Sequence, residues 1–284
     1  MMSARLSPRV CNPSGIQNRL SYEPMTTTAS RGAIYLEKNG PIAELVLNRP
    51  EVLNAENWQM AHDFHAALND LERDKSIRAV IVSGRGRAFS SGVDLGALAR
   101  GELKLDWFRS FDEAMRRLEM LDALTVAKIR GYAIGGGLQI ALACDLRIAT
   151  PDSQFGLPAV LEALIPGMGT YRLPRFVGLG RARRMALTGE LVAAEEALRM
   201  GLVDWISPPE EIDAKIADVI HDTLKGSSVA RGFTKRLITA SFETEYDAAF
   251  ERYLDYQQLS LTSSDHQQAM ADYLRRKETS RREQ

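Results

Sequence analysis

The sequence predicts an α/β fold followed by an all-helical C-terminal region, on three observations. Extended apolar runs alternate with runs of helical period as far as residue 206. Strand character then fades after Pro208-Pro209. A glycine triplet, Gly135–Gly137, leads one extended run straight into a helix-like one, a costly arrangement unless something must approach the backbone there. These divide the chain into an N-terminal extension (1–29), an α/β core (30–208) and a helical region (209–284).

Each element has its own warrant. Residues 33–49 read as two strands around Asn39-Gly40, a strong hairpin signal. Residues 57–74 place Trp58, Met60, Ala61, Phe64, Ala67, Leu68 and Leu71 at helical spacing. "IRAVIVSG" (77–84) is a short buried strand. Residues 103–124 form an amphipathic helix carrying Leu105, Phe108, Phe111, Met115 and Leu118. "TVAKIRGYAI" (125–134) is one extended run into the glycines, "GLQIALACD" is helix, and "LRIATPDSQFGLP" is extended again. Helices near 210–225, 228–240, 244–260 and 265–277 complete the chain.

Composition excludes several classes. The 284 residues are 45% hydrophobic and 26% charged, ordinary for a globular chain. A formal net charge of -1 gives no global field for nucleic acid or an anionic membrane, and no apolar run is long enough to span a bilayer. Cys11 and Cys144 are far apart, which reads as free thiols in a reducing compartment. The first 24 residues hold Arg5, Arg9 and Arg19 with no acid before Glu23, but no continuous apolar segment. They read as a disordered extension with Met25 as a plausible start, in a cytoplasmic protein; a transit peptide there would make it mitochondrial.

The glycine turn suggests chemistry. A helix that begins with unobstructed N–H groups favours developing negative charge, because its first amides and its dipole point the same way. "GRAFSSGVDL" (86–95) is a second such place, where Ser91-Gly92 exposes the amide of Val93. Two convergent amides make an oxyanion hole, where one donor is worth about 2.7–4 kcal/mol of transition-state stabilisation. Taken alone, the glycines also suit close helix–strand packing. Neither stretch spells the dinucleotide pattern G-x-G-x-x-G.

"LNRPEVLNAENWQM", "GRGRAFSSGVDL", "IRGYAIGGGLQIALACDLRIA", "SQFGLPAVLEALIPGMGTYRLPR" and "LTGELVAAEEALRMGLVDWI" occur in this order and spacing. Together they resemble the crotonase superfamily, the enoyl-CoA hydratases and isomerases, from about residue 33 to about 277. The resemblance implies a spiral of repeated ββα units with a C-terminal trimerisation region, in a trimer or a dimer of trimers. It implies CoA thioester substrates and no separate cofactor, since CoA is part of the substrate. It puts the thioester oxygen between the amides of Val93 and Gly136, with Ser91, Gly92, Leu95 and Gly135 around the substrate. Leu53–Ala55 matches the bend that holds the CoA adenine and pantetheine through main-chain contacts. Asp94 and Asp145 match positions with structural roles.

The chain departs from the family pattern where protons move. The first hydratase glutamate, in G-G-G-x-E, is Gln139 here, and the second, in F-G-x-P-E, is Ala159. A third family position for a carboxylate is Gly167. An amide can orient water but cannot take its proton, and a positioned acid or base is worth about 10²–10⁴-fold. Glu162, three residues after Ala159, is the leading substitute, weighed against an exposed carboxylate. Asp106, Asp112 and Glu113 read as solvated helix positions. His62 and His65 share a helix face but lack a third ligand for a metal. The pattern favours an acyl-CoA protein that polarises its thioester for an atypical lyase or isomerase reaction. Loss of carbon dioxide, for instance, makes an enolate without a base. The alternatives are a non-catalytic fatty acyl-CoA binder and an ordinary hydratase using a substitute such as Glu162.

Overall fold

A computed structural model of the chain describes residues 32–282. The extension (1–29), its transit-peptide alternative and Cys11 therefore lie outside the described residues. Strands β1 (Ile34–Asn39) and β2 (Ile42–Leu47) form the expected antiparallel hairpin, turning through Gly40 at φ +56°. Helix α1 (Trp58–Arg73) follows, capped by Asn57, whose side chain accepts from the Met60 amide. It buries Met60, Ala61, Phe64, Ala67, Leu68 and Leu71, the stripe its period predicts. Next come β3 (Ala79–Gly84), α2 (Leu95–Ala99) and α3 (Leu105–Glu119). In α3, Trp107, Phe111, Met115 and Leu118 face inward, whereas Leu105 is exposed because it sits in the opening turn.

The run 125–134 is two strands rather than one: β4 (Leu124–Ile129) and β5 (Tyr132–Ile134). Gly131, at φ +60°, breaks it; the carbonyl of Arg87 occupies the place a Cβ would need. Helix α4 (Gly136–Leu142), β6 (Leu146–Ala149), β7 (Gln154–Gly156), α5 (Gly169–Val177), α6 (Leu179–Thr188), β8 (Val192–Ala193), α7 (Ala194–Arg199) and β9 (Trp205–Ile206) complete the core.

Two sheets result. The larger runs β1-β2-β3-β4-β6-β9, parallel from β2 onward, and the smaller runs β5-β7-β8. Successive repeats give one strand to each layer: β4 enters the large sheet and β5 the small one, then β6 and β7 do the same. Single parallel bridges, Glu56 with Val93 and Ser90 with Ala133, continue the smaller layer into the earlier repeats. This crotonase-like α/β architecture stacks residues 56, 90, 93 and 133–136 at one edge.

Four C-terminal helices follow: α8 (Ile212–Leu224), α9 (Ser228–Ala240), α10 (Tyr246–Leu261) and α11 (Ser264–Arg282). Helix α8 lays Ile212, Ile216 and Ile220 against Ala79, Ile81, Val126 and Ile148 of the large sheet. Helix α9 is tied down by Lys235, whose ammonium lies 2.8 Å from Asp145. Asp145 also accepts from the amide and hydroxyl of Thr125 at 2.8 and 2.9 Å. Helices α10 and α11 leave Phe250, Tyr253, Leu254, Tyr273 and Leu274 exposed on the single chain.

Candidate active site

The site starts from a backbone bend. Leu53 and Asn54 both adopt φ +56°, a left-handed conformation that asparagine tolerates better than leucine does. Asn54 is buried, and its side-chain amide binds the carbonyls of Arg85, Ala88 and Phe89 at 2.8–3.0 Å. The bend is thereby fastened to the next repeat. The Ser91 amide donates to the Leu53 carbonyl at 3.0 Å, and Arg49 Nη1 donates to the Ala55 carbonyl at 2.5 Å. Asp94 caps α2 through the Ala97 amide and pairs with Arg49 at 3.2 Å.

Beyond the bend the Glu56 amide donates to the Gly92 carbonyl, and the Asp94 amide to the Glu56 carbonyl, both at 2.9 Å. In a strand the amides alternate sides, so the Val93 N–H between them points away from Glu56. Gly136 opens α4, where the first amides have no intrahelical partner. A Cβ built on Gly92, at φ +89°, would stand 3.3 Å from the Gly136 nitrogen and 2.8 Å from the Ile134 carbonyl. Glycine there leaves the space between Val93 and Gly136 free of a side chain.

That space is a pocket of about 100 Å³ bordered by Val93, Gly135, Gly136, Gln139, Ala159 and Glu162. Ser91, Gly92 and Leu95 border it too, so nine of the positions named from sequence share one cavity. Leu53 and Ala55 do not line it; they lie on the bend behind. Glu162 is exposed at the end of a short 3-10 turn, Pro158–Glu162. Gln139 is buried and its Oε1 accepts from the Gly169 amide at 2.9 Å, which leaves its NH₂ as the side facing the pocket. Trp107, Phe108 and Phe111 make an aromatic wall, with Trp107 and Phe111 stacked at 5.1 Å.

Two carboxyls in this lining differ from what the sequence suggests. Asp112 is half-buried rather than solvated, and its Oδ1 has no hydrogen-bond partner. The chain at 167–169, arriving from much later in sequence, roofs that face of α3: a Cβ on Gly167 would lie 3.4 Å from Asp112 Oδ2. Burial raises its pKa, opposed by Arg172 and by the Met168 amide. Asp106 and Glu113 are exposed as expected.

Glu56 is fully buried, and sequence reading passes over it. Ser90 Oγ lies 2.9 Å from its Oε1, while Oε2 has no partner. A Cβ on Gly136 would land on this carboxyl, 2.5 Å from its Cδ and 2.7 Å from Oε1. Gly136 is thus required by Glu56. Burial pushes the Glu56 pKa up to about 8, helped by Asp112 and opposed by the Ser90 hydrogen bond. The available signal was "NAEN", one acid in a segment whose neighbours pack inward.

A larger groove of about 790 Å³ runs where α9 crosses the ends of α1 and α3. Its walls are ion pairs such as Arg117–Glu72 (2.7 Å) and Arg236–Asp122 (2.5 Å), and neither open amide reaches it. No group of three or more metal-ligating side chains occurs among the described residues. Nor is any helix among them long and apolar enough to cross a membrane. Cys144 is buried, its thiol pushed up to about 12 by desolvation.

The chain is similar in sequence and in fold to known proteins. A family model described as enoyl-CoA hydratase/isomerase matches residues 37–283. The chain is 34% identical over 222 residues to a short-chain-enoyl-CoA hydratase of Clostridium acetobutylicum, covering 76% of this chain and 84% of the relative. It is 38% identical over 218 residues to the putative enoyl-CoA hydratase/isomerase YngF of Bacillus subtilis, covering 75% and 83%. The solved structure of a putative enoyl-CoA hydratase from Streptomyces coelicolor superposes with a TM-score of 0.82 at 29% identity, over 92% of this chain and 97% of that one.

Proposed function

The chain belongs to the enoyl-CoA hydratase/isomerase family, and from that premise we propose that it binds an acyl-CoA thioester with the carbonyl oxygen between the amides of Val93 and Gly136, for an enolate-forming lyase or isomerase reaction. The observation that carries this reading is that Val93 and Gly136, the second opening α4 where the amides have no intrahelical partner, border one pocket. Donors fixed before the reaction stabilise charge as it appears on the thioester oxygen, without reorganising.

Ordinary hydration requires an acid and a base at the β-carbon, and the side chains at 139 and 159 are an amide and a methyl group. Gln139, held through Oε1, offers hydrogens to a substrate oxygen or water but takes none away. This favours chemistry at the α-carbon. Assembly as a trimer or a dimer of trimers is supported by the apolar side chains left outside on α10 and α11.

The test is the infrared spectrum of butyryl-CoA labelled with ¹³C at the thioester carbonyl, with calorimetry to establish that it is bound. The carbonyl stretch is expected to fall on binding, because two donors lengthen the bond. Tight binding with an unshifted stretch would contradict the placement. A matching assay with crotonyl-CoA separates the alternatives: fast hydration would favour an ordinary hydratase using Glu162.

A further inference from the structure

We propose that Glu56, set into the acyl pocket and oriented by Ser90, is the group that carries the proton to and from the thioester α-carbon. The assignment rests on the thioester-binding reading above and adds to it the proton carrier that Gln139 and Ala159 cannot supply.

Three observations meet at this side chain. First, it is fully buried and lines the pocket, yet Oε2 has no partner. An unsatisfied buried carboxyl is strongly unfavourable, and such groups concentrate where chemistry needs them. Second, it lies against Gly136, the residue that opens α4 with an unpaired amide. The carboxyl and the thioester oxygen would therefore flank the same glycine.

Third, Ser90 holds one oxygen of the carboxyl and leaves the other without a partner. Ser90 Oγ has one hydrogen, but it lies 3.0 Å from the Asn54 carbonyl and 2.9 Å from Glu56 Oε1. It also accepts from the Gly92 amide at 3.1 Å. The single hydroxyl hydrogen is shared between the Asn54 carbonyl and Glu56 Oε1, so Ser90 fixes the orientation of the carboxyl while Oε2 stays unpaired. Desolvation holds the carboxyl neutral up to about pH 8, opposed by the Ser90 bond and helped by Asp112 across the pocket. Half a turn about the terminal torsion exchanges the two oxygens, so the same proton can face Ser90 or the acyl chain.

The step is a simple transfer. In one direction the Glu56 O–H bond breaks and its proton forms a C–H bond at the enolate α-carbon. The enolate pair supplies that bond, the C=O re-forms, and a carboxylate remains. In the other direction the carboxylate takes the α-proton, and the C–H pair flows to the oxygen between Val93 and Gly136. No oxidant, reductant or metal is involved.

The experiment follows α-hydrogen exchange of butyryl-CoA in D₂O across pH, with calorimetry of butyryl-CoA in parallel. Wild-type exchange is expected to rise with pH to a plateau with its midpoint near 8, as the carboxylate form appears. Glu56→Gln should bind butyryl-CoA within about threefold and exchange at least about 100-fold more slowly. Glu56→Leu, which removes the buried polar group, should fold at least as stably and also fail to exchange, separating chemistry from folding. Ser90→Ala should move the midpoint up and Asp112→Asn should move it down, shifts that a merely structural role would not produce. Wild-type exchange rate and midpoint in a folded Glu56→Gln would overturn the assignment, as would binding without exchange in the wild type. Failure of the wild type to bind butyryl-CoA would instead remove the thioester reading, and this assignment with it.

Discussion

Replacing Gly136 by alanine tests the contact on which the site is built. The new methyl would fall 2.5 Å from Glu56 Cδ and 2.7 Å from Oε1, so the carboxyl must move. Overpacking of this kind costs about 1–3 kcal/mol. Displacing the carboxyl also breaks its 2.9 Å bond with Ser90, worth about 1 kcal/mol net. Alanine's better helix propensity returns up to about 1 kcal/mol. A net loss of about 2 kcal/mol is expected, read from urea midpoints at constant slope. In a Glu56→Ala background the methyl meets no carboxyl, so the same change should cost less than about 1 kcal/mol. The double-mutant cycle therefore closes with a coupling of about 1–2 kcal/mol. An equal cost in both backgrounds, or a neutral Gly136→Ala, would show that the two residues do not touch as described.

Other expectations follow from the same residues. Gln139→Glu combined with Ala159→Glu should raise crotonyl-CoA hydration by about tenfold or more, since a positioned acid or base contributes at least that much; no rise in a folded double variant counts against those positions. Glu56 also makes stability fall with pH. Its folded pKa of about 8 exceeds the ordinary 4.5, so the native state holds a proton that the unfolded chain has released. The advantage is full below about pH 4.5 and is lost as pH rises through 8, a few kcal/mol at about 1.36 per unit. Denaturation of Glu56→Gln across pH 4.5–8 should lack that decline, and an identical decline in both proteins would refute the burial of the carboxyl. Asp145→Ala should destabilise by about 2–4 kcal/mol, because Thr125 and Lys235 lose their shared acceptor, while leaving butyryl-CoA affinity unchanged. A weakened affinity would place Asp145 at the site.

Much of this was legible in local pattern. The hairpin at Asn39-Gly40 and the apolar stripe of α1 depend on neighbours in sequence, and both stand as the periods indicate. That Val93 and Gly136 border one pocket was legible because a strand that runs out into glycine leaves its next N–H groups uncovered by side chains. Glu56 and Asp112 were not, since local sequence does not show what will cover a side chain. The wall over Asp112 comes from Gly167–Gly169, more than fifty residues on, and that over Glu56 comes from Ser90 and Gly136. A charge on an amphipathic helix looks solvated until such a distant segment is placed. The run 125–134 misled for a related reason, its alternation continuing smoothly across a residue whose φ is positive.

That corner at Gly131 decides more than where a strand ends. Any L-residue there would meet the Arg87 carbonyl and resist φ +60°, and a chain that ran straight on would keep Tyr132–Ile134 beside Leu124–Ile129 instead of delivering them to the other layer. The next turn would then open far from Val93. A substitution at 131, outside the pocket lining, is therefore expected to weaken butyryl-CoA binding by displacing Gly136.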